Sequence, residues 1–184
     1  MSKGASTVRV ILVGAMLMAS LPNVLRAQSS RLTLLGYNTS VPAQWVVVPP
    51  TSKMRLAQFS IRHDDALGAA EIVVYFFGEG QGGTVESNLA RWKAQFSTSD
   101  GAPVPETITR DTSRVFPITF AEYRGTYARG IGPGNTETAK AGQTLLAGIA
   151  ETPRGTLFIQ LFGDTAAVAA ERAAFMQFVR GLRE

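Results

Sequence analysis

The sequence predicts an α+β protein, a mostly antiparallel β-sheet flanked by helices in an αβα sandwich. Three observations carry this. Two stretches have helical periodicity, one in mid-chain and one at the C-terminus. The strand-like runs come in adjacent groups instead of alternating one for one with helices, which argues for antiparallel pairing over a doubly wound fold. Residues 71–77 (Glu-Ile-Val-Val-Tyr-Phe-Phe) are apolar almost throughout, as a central strand covered on both faces must be.

In chain order, residues 45–48 form a short β-rich run stopped by Pro49 and Pro50, which cannot donate to a ladder. Residues 54–61 intersperse Arg55, Gln58 and Ser60 among Met54, Leu56, Ala57, Phe59 and Ile61, a half-buried strand with one irregularity. From Thr84 the period changes. Val85, Leu89, Trp92 and Phe96 fall at i, i+4, i+7 and i+11, one helix face, with Thr84 as N-cap and Glu86 favourably placed against the N-terminal dipole. On the neighbouring face Asn88, Arg91 and Gln95 recur at i, i+3 and i+7. Residues 106–111 and 115–127 read as strands, the second alternating Phe116, Ile118 and Phe120. Strands at 145–150 and 156–162 are joined by Glu-Thr-Pro-Arg-Gly, a hairpin loop. Asp164 then caps a closing helix whose buried stripe is Val168, Phe175, Val179 and Leu182. The expected order is strands, helix, four strands, helix.

The first residues read as an address. Lys3 and Arg9 lead into an apolar run at 10–21, Pro22 follows, and Ala27 closes the segment before Gln28-Ser29-Ser30, the order of a secretory signal. That run is 12 residues long, whereas spanning a bilayer takes about 20. Cleavage after Ala27 is expected, with residues 28–184 forming a single domain. Removing 27 of the 184 residues leaves 157, with 15 bases against 14 acids. So near-neutral a chain carries no electrostatic footprint for nucleic acid. Zero cysteines exclude disulfides, thiolate metal sites, a cysteine nucleophile and a lipidated N-terminal Cys, and a single histidine leaves little for a zinc site or a Ser-His-Asp triad.

The strings Val41-Pro42-Ala43-Gln44-Trp45, Ser52-Lys53-Met54-Arg55-Leu56-Ala57-Gln58-Phe59, Gly82-Gly83 and Asn88-Leu89-Ala90-Arg91-Trp92-Lys93-Ala94-Gln95-Phe96 resemble a group of exported bacterial proteins. The strand order is similar to the PsbP and DcrB type of αβα sandwich, shared by the Mog-type Ran-binding proteins. The resemblance covers most of residues 32–183, and Asn-x-x-Arg-Trp-x-x-Gln-Phe is its most specific part. It implies a PsbP-like fold. Its members include photosystem assembly subunits, a GTPase-binding factor and periplasmic lipoproteins, so it implies no catalytic residue.

The string Gly78-Glu79-Gly80-Gln81-Gly82-Gly83 satisfies G-x-G-x-x-G through Gly78, Gly80 and Gly83, between a strand and a helix. Glu79 would set a negative charge beside a pyrophosphate, and the remaining strands lack βαβ alternation. The string is therefore either a strand-to-helix connector with left-handed glycines or a contact for an anion or substrate at the helix N-terminus. His63-Asp64-Asp65 reads as a solvated turn, because adjacent turn residues seldom converge on one ion. Arg91, with Asn88 and Gln95, either grips a ligand or partner through its guanidinium or pairs with an acid of a neighbouring strand. Trp45 and Arg55 have the same two readings, and Trp92 reads as core. No G-x-S-x-G or S-x-x-K string is present.

These residues are expected to make an exported, non-enzymatic binding or assembly module of the cell envelope. Neither cofactor nor metal is expected, nor stable membrane insertion after signal removal. The expected partner is a protein or a small envelope ligand and not nucleic acid. Contact is expected at Gly78, Glu79, Gly80, Gly82, Gly83, Asn88, Arg91 and Gln95, on a rim completed by the loop at 130–142. Two other classes compete: an envelope hydrolase using Glu79 or Asp64 as acid or base, and a carrier of a small hydrophobic ligand, which needs an apolar cavity between sheet and helix.

Overall fold

A computed structural model describes residues 30–62, 67–112, 115–128 and 139–184; the signal-like residues 1–27, the His63-Asp64-Asp65 turn and most of the 130–142 loop lie outside the described residues. The elements run β1 (Ser30–Leu34), β2 (Tyr37–Val41), β3 (Val46–Val47), β4 (Arg55–Arg62), β5 (Ala69–Tyr75), α1 (Val85–Lys93), β6 (Phe96–Ser97), β7 (Glu106–Asp111), β8 (Ile118–Tyr127), β9 (Lys140–Thr152), β10 (Gly155–Asp164) and α2 (Thr165–Arg180). β1 and β2 form a separate hairpin. The others make one eight-stranded sheet in the order β3-β4-β5-β10-β9-β8-β6, with β7 also on the β8 edge. Every pairing among the described residues is antiparallel, as the grouping of strand-like runs predicts.

Alternation along the strands sends side chains to two faces, and each face has its own helix. On the first, Phe59, Ile61, Ile72, Val74, Ile118, Phe120, Leu146, Leu157, Ile159 and Leu161 meet Val168, Phe175, Phe178 and Val179 of α2. The β1–β2 hairpin closes this side with Leu34, Tyr37 and Val41. On the second face Ala121, Tyr123, Leu145, Ala147, Ile149 and Phe158 meet Trp92 of α1 and Phe96 of β6. The irregularity expected in residues 54–61 is a register shift between Arg55 and Ala57 in the pairing of β4 with β5.

Four details differ from the sequence reading. The β1–β2 hairpin is an addition: its two-residue turn, Leu35-Gly36, has φ of 49° and 83°, the primed geometry usually announced by Asn-Gly. α1 ends at Lys93, so Phe96 belongs to β6, paired with Tyr127, although it still packs in the same cluster as Trp92. The fully buried polar residue of α1 is Asn88, while Val85 and Leu89 are only partly buried. Asp164 stands at the N-cap of α2 but makes no side-chain cap bond. Its carboxylate accepts instead from the Ala69 amide at 3.0 Å, Gln143 Nε2 at 2.8 Å and Lys140 Nζ at 2.9 Å, fastening the start of α2 to β5 and β9.

The backbones of β6 and β8 approach closely at a bulge. A Cβ on Gly125 (φ +154°) would lie 2.4 Å from the carbonyl oxygen of Ser97, so only glycine fits at this bulge. Nearby, the Tyr123 hydroxyl is fully buried without a hydrogen-bond partner among the described residues, and burial, with Glu106 adding to it, pushes its pKa up to about 12.

An unpaired buried hydroxyl costs stability, so Tyr123→Phe is expected to stabilise the fold by about 1 kcal/mol in urea denaturation, and a loss of stability would contradict the burial described. The three donors on Asp164, that of Lys140 foremost, hold its pKa down at about 2. A depressed carboxylate stabilises the fold above its unfolded pKa of about 4 and ceases to do so as the pH falls through the folded value. Unfolding midpoints measured between about pH 4 and pH 2 should therefore fall less steeply in Asp164→Asn than in the parent chain.

Candidate functional site

The strand registers place a cleft on the second face, between α1 and the β5–β10 pair. Across that face Gln58, Val73 and Gln160 lie side by side, and in the next row Arg55, Tyr75 and Phe158 do the same. α1 has nine residues and so is about 13 Å long. It covers the β8–β9 side and leaves the β5 side open. The resulting cavity, about 310 Å³, is lined by Tyr75, Phe77, Arg91, Trp92, Gln95, Tyr127, Phe158 and Gln160. That is the lower end of the range for small-molecule sites, roughly 300–1,000 Å³.

The walls are rings. Tyr75 and Phe77 lie nearly parallel with centroids 6.0 Å apart, Phe77 leans on Phe158 at 5.6 Å, and Trp92 meets Phe158 edge-on at 6.4 Å. From outside the cleft the Arg55 guanidinium sits 5.5 Å from the Tyr75 ring and donates to Gln58 Oε1 at 2.9 Å. Arg91 is the one charged group among the lining residues, which include no carboxylate. Planar rings beside a guanidinium suit a planar ligand bearing a carboxylate or phosphate, since Arg offers paired parallel donors to such anions.

Asn88 holds this arrangement in place. It is 1% exposed. Its Nδ2 donates to the carbonyl oxygens of Gly82 at 2.8 Å and Thr84 at 2.9 Å, and its Oδ1 accepts from Arg91. One buried amide thus ties the glycine string to α1 and orients the guanidinium above it. Thr84 caps the helix as expected, accepting from the Ser87 amide at 3.1 Å. Gly82 (φ +95°) has no room for a side chain: a Cβ would lie 2.6 Å from the Phe158 ring and 2.9 Å from that of Phe77. The two rings approach the backbone because the residue is glycine.

Of the expected contact residues, Arg91 and Gln95 line the cleft. Asn88 and Gly82 support it from beneath. Gly78, Gly80 and Gly83 are left-handed, with φ of 110°, 67° and 82°, as a strand-to-helix connector requires, and Glu79 is exposed. The expected acid partner for Arg91 on a neighbouring strand is replaced by Asn88 on its own helix. Trp45 is core, donating from Nε1 to Glu171 at 2.7 Å and packing on Phe59 and Phe178.

The glycine string follows β5 where Tyr75 pairs with Phe158, and Tyr127, which precedes the 130–142 loop, lines the same cleft as Tyr75 and Phe77; most of that loop lies outside the described residues. The space between α2 and the sheet is filled by Phe175, Phe178 and Val179, each at most 2% exposed, whereas the ring-walled cleft beside α1 is an opening between helix and sheet. Sequence reasoning missed Tyr75, Phe77, Tyr127, Phe158 and Gln160. Gln160 carried a signal, being the one polar residue within Leu157-Phe158-Ile159-Gln160-Leu161.

No helix among the described residues is long and apolar enough to cross a membrane. No family model matches the sequence, and no curated protein does. Among solved structures the chain is similar to the solution structure of cyanobacterial PsbP from Synechocystis sp. PCC 6803, with a TM-score of 0.53 and 14% identity over 90% of this chain and 98% of that one. At that identity the likeness establishes architecture alone: the chain has the PsbP-like α+β sandwich that its strand order implied.

Proposed function

We propose that the protein is an exported binding module of the cell envelope that holds a small planar anion in the cleft beside α1, without chemistry of its own. The observation that carries this is the Arg91 guanidinium, held by a buried asparagine beside the cleft formed by Tyr75, Phe77 and Phe158. An ion pair there would add direction to the affinity of ring stacking, and Gln95 and Gln160 would supply further donors and acceptors. Hydrolysis would need converging carboxylates; Glu79 is exposed and lines no part of the cleft, and Asp64 lies outside the described residues. Export rests on the signal-like order of the first 27 residues.

Titration with 2-naphthoate, followed by the fluorescence of Trp92 in the cleft wall, should saturate, while the uncharged 2-naphthamide should bind more weakly. Arg91 is exposed, so Arg91→Gln should fold normally and lose about ten- to a hundred-fold in naphthoate affinity, the equivalent of one charge-assisted hydrogen bond. Equal affinity in the variant, or no saturation in the parent, overturns the reading. N-terminal sequencing of protein recovered from the cell envelope should begin at Gln28; an intact Met1 would remove the export part.

A further inference from the structure

The two edges of the sheet are built differently. At one, β3 is two residues long and runs into Pro49 and Pro50, which blunts it against further pairing. At the other, β7 pairs with β8 over six residues without a register shift, has no internal proline, and is exposed along nearly its whole length. Among the described residues no strand pairs with its outer side. The Arg124 amide donates to the Pro105 carbonyl. By antiparallel alternation Thr107, Thr109 and Asp111 therefore point their backbone groups at β8, and Glu106, Ile108 and Arg110 point theirs outward.

We infer that this edge pairs with β7 of a second copy of the chain, antiparallel about a two-fold axis through Ile108. Directly opposed residues in an antiparallel ladder either both exchange hydrogen bonds or both do not, so Glu106, Ile108 and Arg110, whose backbone groups point outward, can pair only among themselves. Setting Ile108 opposite Ile108 uses all three. It also places Glu106 opposite the partner's Arg110, and Arg110 opposite the partner's Glu106, while the alternative registers lose a pair or set like charges together. The contact is self-complementary, as a two-fold interface requires. Ile108, 43% exposed, gains its own copy as a neighbour. Each new ion pair would extend one already present, Glu106 with Lys93 at 2.6 Å and Arg110 with Glu86 at 3.2 Å. The product is a continuous sixteen-stranded sheet with the two cation-bearing clefts on the same face.

Sedimentation velocity of the full mature chain across a dilution series should give a reversible monomer–dimer equilibrium. Hydrogen exchange should slow at the Ile108 and Arg110 amides as the dimer fills, while Thr107 and Thr109 stay protected throughout. Ile108→Pro removes an outward N–H that β8 does not use and should shift the dimer dissociation constant at least about tenfold upward. Ile108→Lys, which leaves the backbone unchanged, should do the same if the proline variant folds poorly. A chain that stays monomeric, a dimer indifferent to both substitutions, or protection at Ile108 that ignores concentration each overturns the proposal, and none of these outcomes bears on naphthoate binding.

Discussion

β10 is hydrogen-bonded on both sides, to β5 and β9, and apolar on both faces but for Gln160 at the cleft. Leu157, Ile159 and Leu161 point one way and Phe158 and Phe162 the other. Such a strand is stable in water only if both faces are covered, and each large side chain withdrawn contributes roughly 1.5–3 kcal/mol. The rest of the molecule follows from that demand. α2 leaves β10 directly at Asp164 and folds back over the first face, where Phe175, Phe178 and Val179 fill the space above the strands. The hairpin of β1 and β2 completes that cover, with Tyr37 set edge-on to Phe116 at 5.3 Å. α1 covers the second face from the other side.

The two covers are unequal, and the inequality produces the cleft. α2 has sixteen residues and α1 nine. α1 stops because the chain turns at Ala94, where the Gln95 amide bonds back to the Trp92 carbonyl, and Phe96 must then join β8 beside Tyr127. What the helix does not reach is finished with polar side chains, Gln58 and Gln160 on either side of Val73. The open ground between rings and glutamines is where Arg91 and Gln95 look out. Near the outer edge of the same face, Lys93 and Glu86 reach from α1 to Glu106 and Arg110 and stiffen the side chains that border β7.

Much of this was legible in residue order. The apolar run at 71–77, the change to helical period after Thr84 and the Pro-Arg-Gly turn before β10 each rest on local physics that operates within a few residues. The β1–β2 hairpin was hidden because Leu35 occupies a left-handed position without the Asn or Gly that normally signals one. Asn88 looked like a surface neighbour of Arg91. It is buried because the glycine string folds beneath it and supplies two carbonyl oxygens, a contact that requires Gly82 to press against Phe158, 76 positions further along the chain.

Composition and periodicity by themselves decided the class of the fold, the two-sided burial of its central strands and the presence of Asn88 and Arg91 on one helix flank, since these depend on side-chain character and spacing alone. Register decided the rest. Only the pairing of β4, β5 and β10 brings Arg55, Tyr75, Phe158 and Gln160 onto common ground. Such long-range alignment is set by the balance of contacts over the whole sheet, which no window of a few residues contains.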